Sequence, residues 1–392
     1  MSFWNKNVKP LLMSIMPSVV AILIGLLFGL LVMIFASPGD APMGFYTVLT
    51  RGISKFSDVL YYATPIIMTG LSVGFAYRMG LFNIGASGQF TMGIFAALLV
   101  SFFLPLKSPA SWIVACVAAI AAGAIWGSIP GFFKALLNIN EVITSIMFNY
   151  IGMYVVDYLI SNSSTMYFAT KARTNYISAE AQLPALWSGT NLNVGIIIAV
   201  VLAVILFVVL FYTTFGYELR ATGFNKDAAK YAGMSSKRNI IITMAIAGAL
   251  AGLGGALCIL APSTVVGSSV TYEPINVIRN EGFNGIAVAL LGCSHPIGIV
   301  FSAIFVSYIQ RGGTGAVAYK PEIIDVVLAF IIYFSAFAMV VREIVSGKRK
   351  KKKSAPAPGA VIDAVPPGSN DTAMQDQTGT GLMPEAEERG EE

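Results

Sequence analysis

The run Leu11 to Ala36, LLMSIMPSVVAILIGLLFGLLVMIFA, contains no ionisable residue. A helix needs about 20 apolar residues to cross a hydrocarbon core of about 30 Å, so this run is long enough. It is too long for a signal-peptide core, and no convincing small-residue cleavage site precedes Pro38. We read it as a retained first membrane helix. Comparable apolar runs follow at about 59–78, 81–104, 111–134, 141–160, 194–212, 240–260, 282–293, 297–311 and 322–342. The expected fold is an all-α polytopic membrane protein with about ten transmembrane helices.

Composition agrees with that reading. Of 392 residues, 56% are hydrophobic and 11% charged, against about 25% charged in a soluble domain, which excludes an ordinary soluble enzyme. Mean hydropathy is +0.74. Ser354 to Glu392 hold eight of the twenty acids and one of the twenty-five bases, leaving the preceding body with a net charge of +12. Cys116, Cys258 and Cys293 are odd in number and lie in apolar runs, as small core hydrophobes do. The single His295 has no second His or Cys at ligand spacing, and no metal site is expected.

Basic residues are retained on the cytoplasmic side of a membrane protein. Lys6 and Lys9 place the segment 1–10 inside, and ten crossings return the chain to the inside at Lys348–Lys353, a basic stop after an apolar transmembrane body spanning 11–347. With that topology 16 body bases fall on the cytoplasmic side and 8 on the outer side. The Lys run reads as a topology anchor with ordinary attraction to anionic lipid; specific lipid binding is the alternative. Membrane lipid is an expected partner, and no nucleic acid is expected. The rest of 348–392 is acidic, Pro-rich and free of aromatic residues, and is expected to be disordered.

The eighth run is the weak one, because Gly282 to Leu291 is short and Ser263 to Asn280 before it is polar and contains glycine. Backbone of that kind cannot face lipid. Short or broken helices are therefore expected near 263–293, dipping into the protein from the outer side and lining a cavity. A plain outer loop with a short tilted helix is the alternative.

Two further stretches bear on function. The connection Thr213–Asn239, the loop 213–239, contains a short helix started by Asn225 and ended by Gly233. Ala228, Ala229 and Ala232 are small contacts, and Lys226 and Lys230 share a face. The helix either docks into a partner's groove or packs on its own membrane domain. In the stretch Gly80 to Phe90, Asn83, Ser87 and Gln89 alternate with glycines. They either line a polar path or act as helix-packing glue. Glu141, Asp157, Arg279, Glu281, Glu322 and Asp325 fall near span ends, where interfacial placement is expected, which weakens an ion-driven mechanism. No GxxxxGK[ST] phosphate loop is present, so this chain is not itself an ATPase. Nor does any catalytic constellation stand out.

These residues resemble the permease subunits of ABC importers of the branched-chain amino acid and ribose/galactose class, nearest to guanosine-type nucleoside permeases. The resemblance covers roughly residues 10–345. Four stretches carry it: Asn83–Gln89; Gly127–Gly131 with Glu141–Ile151; Gly216–Asn225; and Gly282–Gly292 with Pro296 and Gly298. It implies that Glu218, Arg220, Gly223, Asn225, Lys226, Asp227, Ala228 and Ala229 form a coupling helix on an ATPase. It also places Asn83, Gln89, Asn149, Phe283 and Asn284 near the solute path. Family members often carry Glu where this chain has Ser87, so a role needing a carboxylate there does not carry over. The implied partners are a second related permease, a cytoplasmic ATPase with two nucleotide-binding domains and an extracellular lipoprotein receptor. No cofactor is expected on this chain, ATP being hydrolysed by the partner subunit. The expected function is nucleoside import across a bacterial plasma membrane with both termini cytoplasmic. A sugar or branched-chain amino acid solute, or an ion-driven transporter, are the alternatives.

Overall fold

The computed structural model describes residues 9–334 except 188, 264, 266, 317 and 321. Residues 1–8 and the basic stop and acidic tail expected over 348–392 lie outside the described residues, as does the end of the run 322–342. The helices are α1 (Lys9–Ala36), α2 (Ala41–Ser54), α3 (Phe56–Arg78), α4 (Ala86–Phe103), α5 (Ala110–Leu137), α6 (Glu141–Ser161), α7 (Gly195–Tyr212), α8 (Thr214–Phe224), α9 (Lys226–Tyr231), α10 (Ser236–Ile259), α11 (Asn280–Leu291) and α12 (Pro296–Gly313). Residues 322–334 form α13. The only strands among the described residues are the two-residue antiparallel pair β1 (Tyr167–Phe168) and β2 (Arg173–Thr174).

Each apolar run expected from the sequence overlaps a helix among the described residues, the run 322–342 as far as residue 334. Among the described residues, six helices are long and apolar enough to cross a membrane: α3, α4, α5, α6, α7 and α10. At 12 residues α11 is too short to do so alone. The addition to the expected set is α2, a 14-residue helix that buries Ala41, Gly44, Val48 and Gly52. Their spacing of three to four makes one face, and that face lies on α12, where the Tyr308 hydroxyl donates to the Leu49 carbonyl.

The interior is built around α3 and α10. Of their apolar windows 83% and 72% are buried, against 28% for α5 and 33% for α7, which therefore form the rim. Contact between α10 and α5 runs through two small-xxx-small patterns, Gly248 and Gly252 facing Gly123 and Gly127. A Cβ on Gly248 would sit 2.1 Å from the Gly123 carbonyl oxygen, so the backbones touch. In lipid no hydrophobic force drives one apolar helix onto another, and close backbone approach supplies the attraction instead. On the other side of the bundle α3 packs on α11 and α12, and α1 meets α13 through Gly25 on Ile331 and Gly29 on Val327.

Replacing Gly248 by Val forces the α5–α10 contact apart. We expect a loss of about 1–3 kcal/mol, the usual cost of overpacking, read as a lower thermal midpoint in detergent; an unchanged midpoint would show that this contact is not a packing point.

Candidate functional site

A cavity of about 550 Å³ lies at the end of the bundle opposite the 213–235 loop. Tyr61, Tyr62 and Thr64 from the first turns of α3 form one wall, and Leu257 and Cys258 from the end of α10 another. The floor is the first turn of α11 with Arg279, Asn280, Glu281 and Asn284. Arg279 Nη2 lies 2.7 Å from Glu281 Oε1, while Arg279 Nε is buried without a hydrogen-bond partner among the described residues. Tyr61 and Tyr62 meet edge to face at 4.7 Å, and the Arg311 guanidinium covers the Tyr62 ring at 3.3 Å. Rings, an ion pair, amides and the free N–H groups of a helix start are thus gathered in one cavity, a surface suited to a neutral solute with both a flat apolar face and several polar groups.

The geometry depends on the segment between α10 and α11. The sequence leads one to expect short or broken helices over 263–293. Instead, from Leu260 to Arg279 the described chain is irregular, and one short helix, α11, follows. Asp157 of α6 holds this segment by accepting from Tyr272 Oη at 2.6 Å and from the Asn276 amide at 2.8 Å. Asp157, near the end of α6, is 5% exposed, and two donors offset its desolvation. Tyr272 is 2% exposed, so its hydroxyl depends on the Asp157 carboxylate for its hydrogen bond. The Tyr272 carbonyl accepts from Thr174 N at 2.8 Å, and Tyr272 N donates to Thr174 Oγ1 at 3.0 Å. Nothing in the spacing of Asp157, Thr174 and Tyr272 reveals this contact.

Of the path residues expected from the resemblance, Asn284 lines the cavity. Asn83 and Gln89 exchange hydrogen bonds at 2.8 and 3.0 Å, and Asn83 also donates to Ser72 Oγ at 3.0 Å. Asn149 accepts from Gly88 N at 2.8 Å and donates to the Ile84 carbonyl at 2.9 Å. All three are buried, their polar groups engaged with one another and with backbone. Phe283 is exposed on α11. Of the other rings in this region, Phe90 is fully buried and Phe148 packs edge-on against Trp126 at 5.5 Å. Ser87 Oγ donates to the Arg279 carbonyl at 3.1 Å, and Gly282 rests so closely on Ser87 that a Cβ there would be 2.1 Å from its hydroxyl. A glutamate at position 87 has no room in this arrangement.

At the other end the loop is two helices rather than one. Asn225 Oδ1 accepts from Asp227 N and Ala228 N at 3.0 Å, starting α9, and Gly233 at φ +80° stops it, as the residue types predict. Before it α8 carries Glu218, Arg220 and Gly223, and Asn239 Nδ2 ties α10 to Thr222 at 3.1 Å. Lys226, Asp227 and Ala228 are exposed, whereas Ala229 is buried. Phe224 and Tyr231 are 95% and 94% exposed beyond the ends of the apolar helices, with a groove bounded by Phe224, Asn225, Ala228 and Ala232 beside them. Exposed rings at such a place mark an interaction surface. Gly223, although exposed, is pressed against the end of α3: a Cβ there would lie 2.5 Å from the Met79 carbonyl carbon.

Residues 55–336 match the family model described as branched-chain amino acid transport system / permease component. The chain is 38% identical over 346 residues to the guanosine ABC transporter permease protein NupP of Bacillus subtilis (strain 168), covering 85% of this chain and 96% of that one. It is 35% identical over 360 residues to the nucleoside ABC transporter permease protein NupB of Lactococcus lactis subsp. cremoris (strain MG1363), covering 88% and 96%. Similarity to the glucose ABC transporter permease protein TsgB13 of Haloferax volcanii is 28% over 291 residues, covering 71% and 75%. No solved structure matches.

Tyr272→Phe and Asp157→Asn each remove one hydrogen bond to a charged carboxylate, worth about 1.5–3 kcal/mol. Hydrogen exchange of the amides over 269–276 should accelerate about tenfold or more in either variant, with the helix amides of α10 unaffected. Unchanged exchange in both would show that the anchor does not hold the segment.

Proposed function

The chain belongs to the family of branched-chain amino acid transport system permease components, and from that premise we propose that it is the membrane subunit of an ATP-driven nucleoside importer. The observation that carries the solute class is its similarity along almost the whole length of two permeases named for guanosine and nucleosides. Similarity to the glucose permease is lower and covers less of both chains, which favours a nucleoside over a simple sugar. The chain carries the passage and not the hydrolysis; ATP is split by a partner subunit.

In this reading ten helices cross the plasma membrane, six of them unaided, with α11 as a half-length helix completed by the segment before it. Both termini and the 213–239 loop face the cytoplasm, and the cavity faces outward, where an extracellular lipoprotein receptor delivers solute. This places the body at 11–347, between the cytoplasmic segment 1–10 and the basic stop with its acidic tail over 348–392. Asn284 and the Arg279–Glu281 pair engage the sugar hydroxyls and base edge, and the Tyr61 and Tyr62 rings cover the base. Asn83, Gln89 and Asn149 hold the frame around which α11 is seated. Phe283, exposed beside Asn284, is offered to the second permease. Phe224 and Tyr231 flank the surface that docks on the ATPase, with Lys226, Asp227 and Ala228 between them. Binding of solute must differ between outward and inward states for transport to occur, and closure of the ATPase on ATP supplies that difference through the loop.

Uptake of labelled guanosine, adenosine, uridine, ribose and leucine is compared in cells with and without this chain, with ATP depletion as control. Loss of ATP-dependent nucleoside uptake in the deletion is expected. Loss confined to ribose or leucine would move the solute class, and ATP-independent uptake would overturn the importer.

The loop is tested by Phe224→Ala and Ala228→Glu. Both should lower copurification of the ATPase by about tenfold or more, as loss of an interface anchor does, while the membrane domain inserts normally. Gly223 is unsuitable for this purpose because its substitution disturbs α3.

A further inference from the structure

Arg78 stands outside both the cavity lining and the exposed rings of the loop, yet it touches the elements that lead to each. It lies in the last turn of α3. Its Nε donates to the Ser294 carbonyl at 2.7 Å and its Nη2 to the Cys293 carbonyl at 3.1 Å. Those carbonyls belong to two consecutive non-glycine residues in the left-handed region, at φ 53° and 51°, a conformation that side chains disfavour. Together they end α11 in a Schellman turn: Ser294 N donates to the Ala289 carbonyl at 2.7 Å and Cys293 N to that of Leu290 at 3.0 Å. Such a turn usually has glycine at the position of Cys293. A guanidinium at the last carbonyls also matches the sign of the helix dipole.

The same guanidinium lies 5.4 Å from the centroid of the Phe211 ring, and Arg220 of α8 lies 5.2 Å from it. His295, the next residue of the turn, stacks on that ring at 5.4 Å and 28°. One ring of α7 therefore joins α3, the loop helix α8 and the turn between α11 and α12. Alongside, Gly223 of α8 rests on the backbone of Met79, the residue after Arg78. At its far end α11 carries Glu281 and Asn284 into the cavity. Its flank is held by Gly282 on Ser87 and Gly285 on Thr69, where a Cβ would come within 2.1 and 2.5 Å of the facing hydroxyls. With that little slack, a displacement of the turn is carried along the helix to its first residues.

We propose that Arg78 is a positioning residue that couples the loop to the cavity. It holds the left-handed turn after α11, so a shift of α8 on docking and closure of the ATPase passes through Phe211 and Arg78 to α11 and alters the solute site. This inference rests on the importer reading above, but names a residue that touches neither the solute cavity nor the docking groove.

The test uses the complete transporter, with its partner permease, ATPase and receptor, in proteoliposomes, reading ATP hydrolysis and labelled guanosine uptake on the same vesicles. Arg78→Gln should keep hydrolysis within about twofold while nucleoside moved per ATP falls about fivefold or more, the size of an ordinary coupling between sites. Cys293→Gly favours the left-handed turn without help from Arg78. Added to Arg78→Gln it should re-form the turn yet leave the ratio low, because the link through Phe211 stays cut; recovery of the ratio is what a merely structural role for Arg78 predicts. An unchanged ratio in Arg78→Gln overturns the proposal, and so does recovery of the ratio by Cys293→Gly or a joint fall of hydrolysis and uptake that leaves the ratio as it was. A wild-type complex that hydrolyses ATP but moves no nucleoside removes the importer reading instead, so the two failures are told apart.

Discussion

The backbone between α10 and α11 leaves the helix and runs irregularly over residues 260–279, and each of its polar groups that is buried must be met by the protein. That requirement organises the cavity end of the molecule. Leu260 O accepts from Leu183 N at 2.8 Å, Ser269 Oγ from Ile177 N at 3.0 Å, Asp157 from Tyr272 and Asn276, and Arg279 O from Ser87 at 3.1 Å. Partners are thus drawn from α4, α6 and the long connection between α6 and α7. Because the segment is tied at these points, α11 is held with Asn280, Glu281 and Asn284 lining the cavity. Discontinuous helices of membrane transporters place positive helix ends toward solute in this way.

Apolarity has a different meaning here than in a water-soluble core. The run Gly195–Tyr212 has the highest mean hydropathy of the six crossing helices, 3.2, yet only 33% of it is buried, while Phe56–Arg78 at 1.5 is 83% buried. Lipid accepts Val, Ile and Leu as readily as a protein interior does, so hydropathy locates spans but does not rank them from rim to centre. What marks the centre is the small and mildly polar residues: glycines that bring α5 and α10 into backbone contact, and Thr69, Ser72 and Asn83, all fully buried.

The same distinction separates what could be read in the candidate site from what could not. Local chemistry was legible: the Asn225 cap and Gly233 stop of α9 depend on residues a few positions apart, and the shortness of Gly282–Leu291 is visible in the run itself. Contacts that join distant parts were not. Asp157 and Tyr272 are separated by 115 residues, and Arg78 and Ser294 by 216, and no periodicity links them. The resemblance placed Asn83, Gln89 and Asn284 together near a path, but side-chain direction divides them, with the first two spent on each other and Asn284 facing the cavity. Exposure of Phe224 and Tyr231 was likewise hidden, because an aromatic residue near an apolar run reads equally well as core.

A transporter has a further constraint that favours a cavity of this kind over a tightly fitted pocket. A site that binds solute equally well in both states shifts no equilibrium, and one that binds too well does not release it. Selection can be left to a receptor that never has to release its solute across the bilayer, leaving the membrane subunit a few polar anchors and rings in a roomy space. Those anchors sit on one short helix, which makes their geometry switchable as a unit: turning α11 by part of a helical step moves Glu281 and Asn284 together relative to Tyr61 on α3. Packed elements of this sort settle into discrete arrangements rather than deforming gradually. In the importer reading proposed above, the close glycine contacts that seat α11 on α3 and α4 set the positions between which the site alternates.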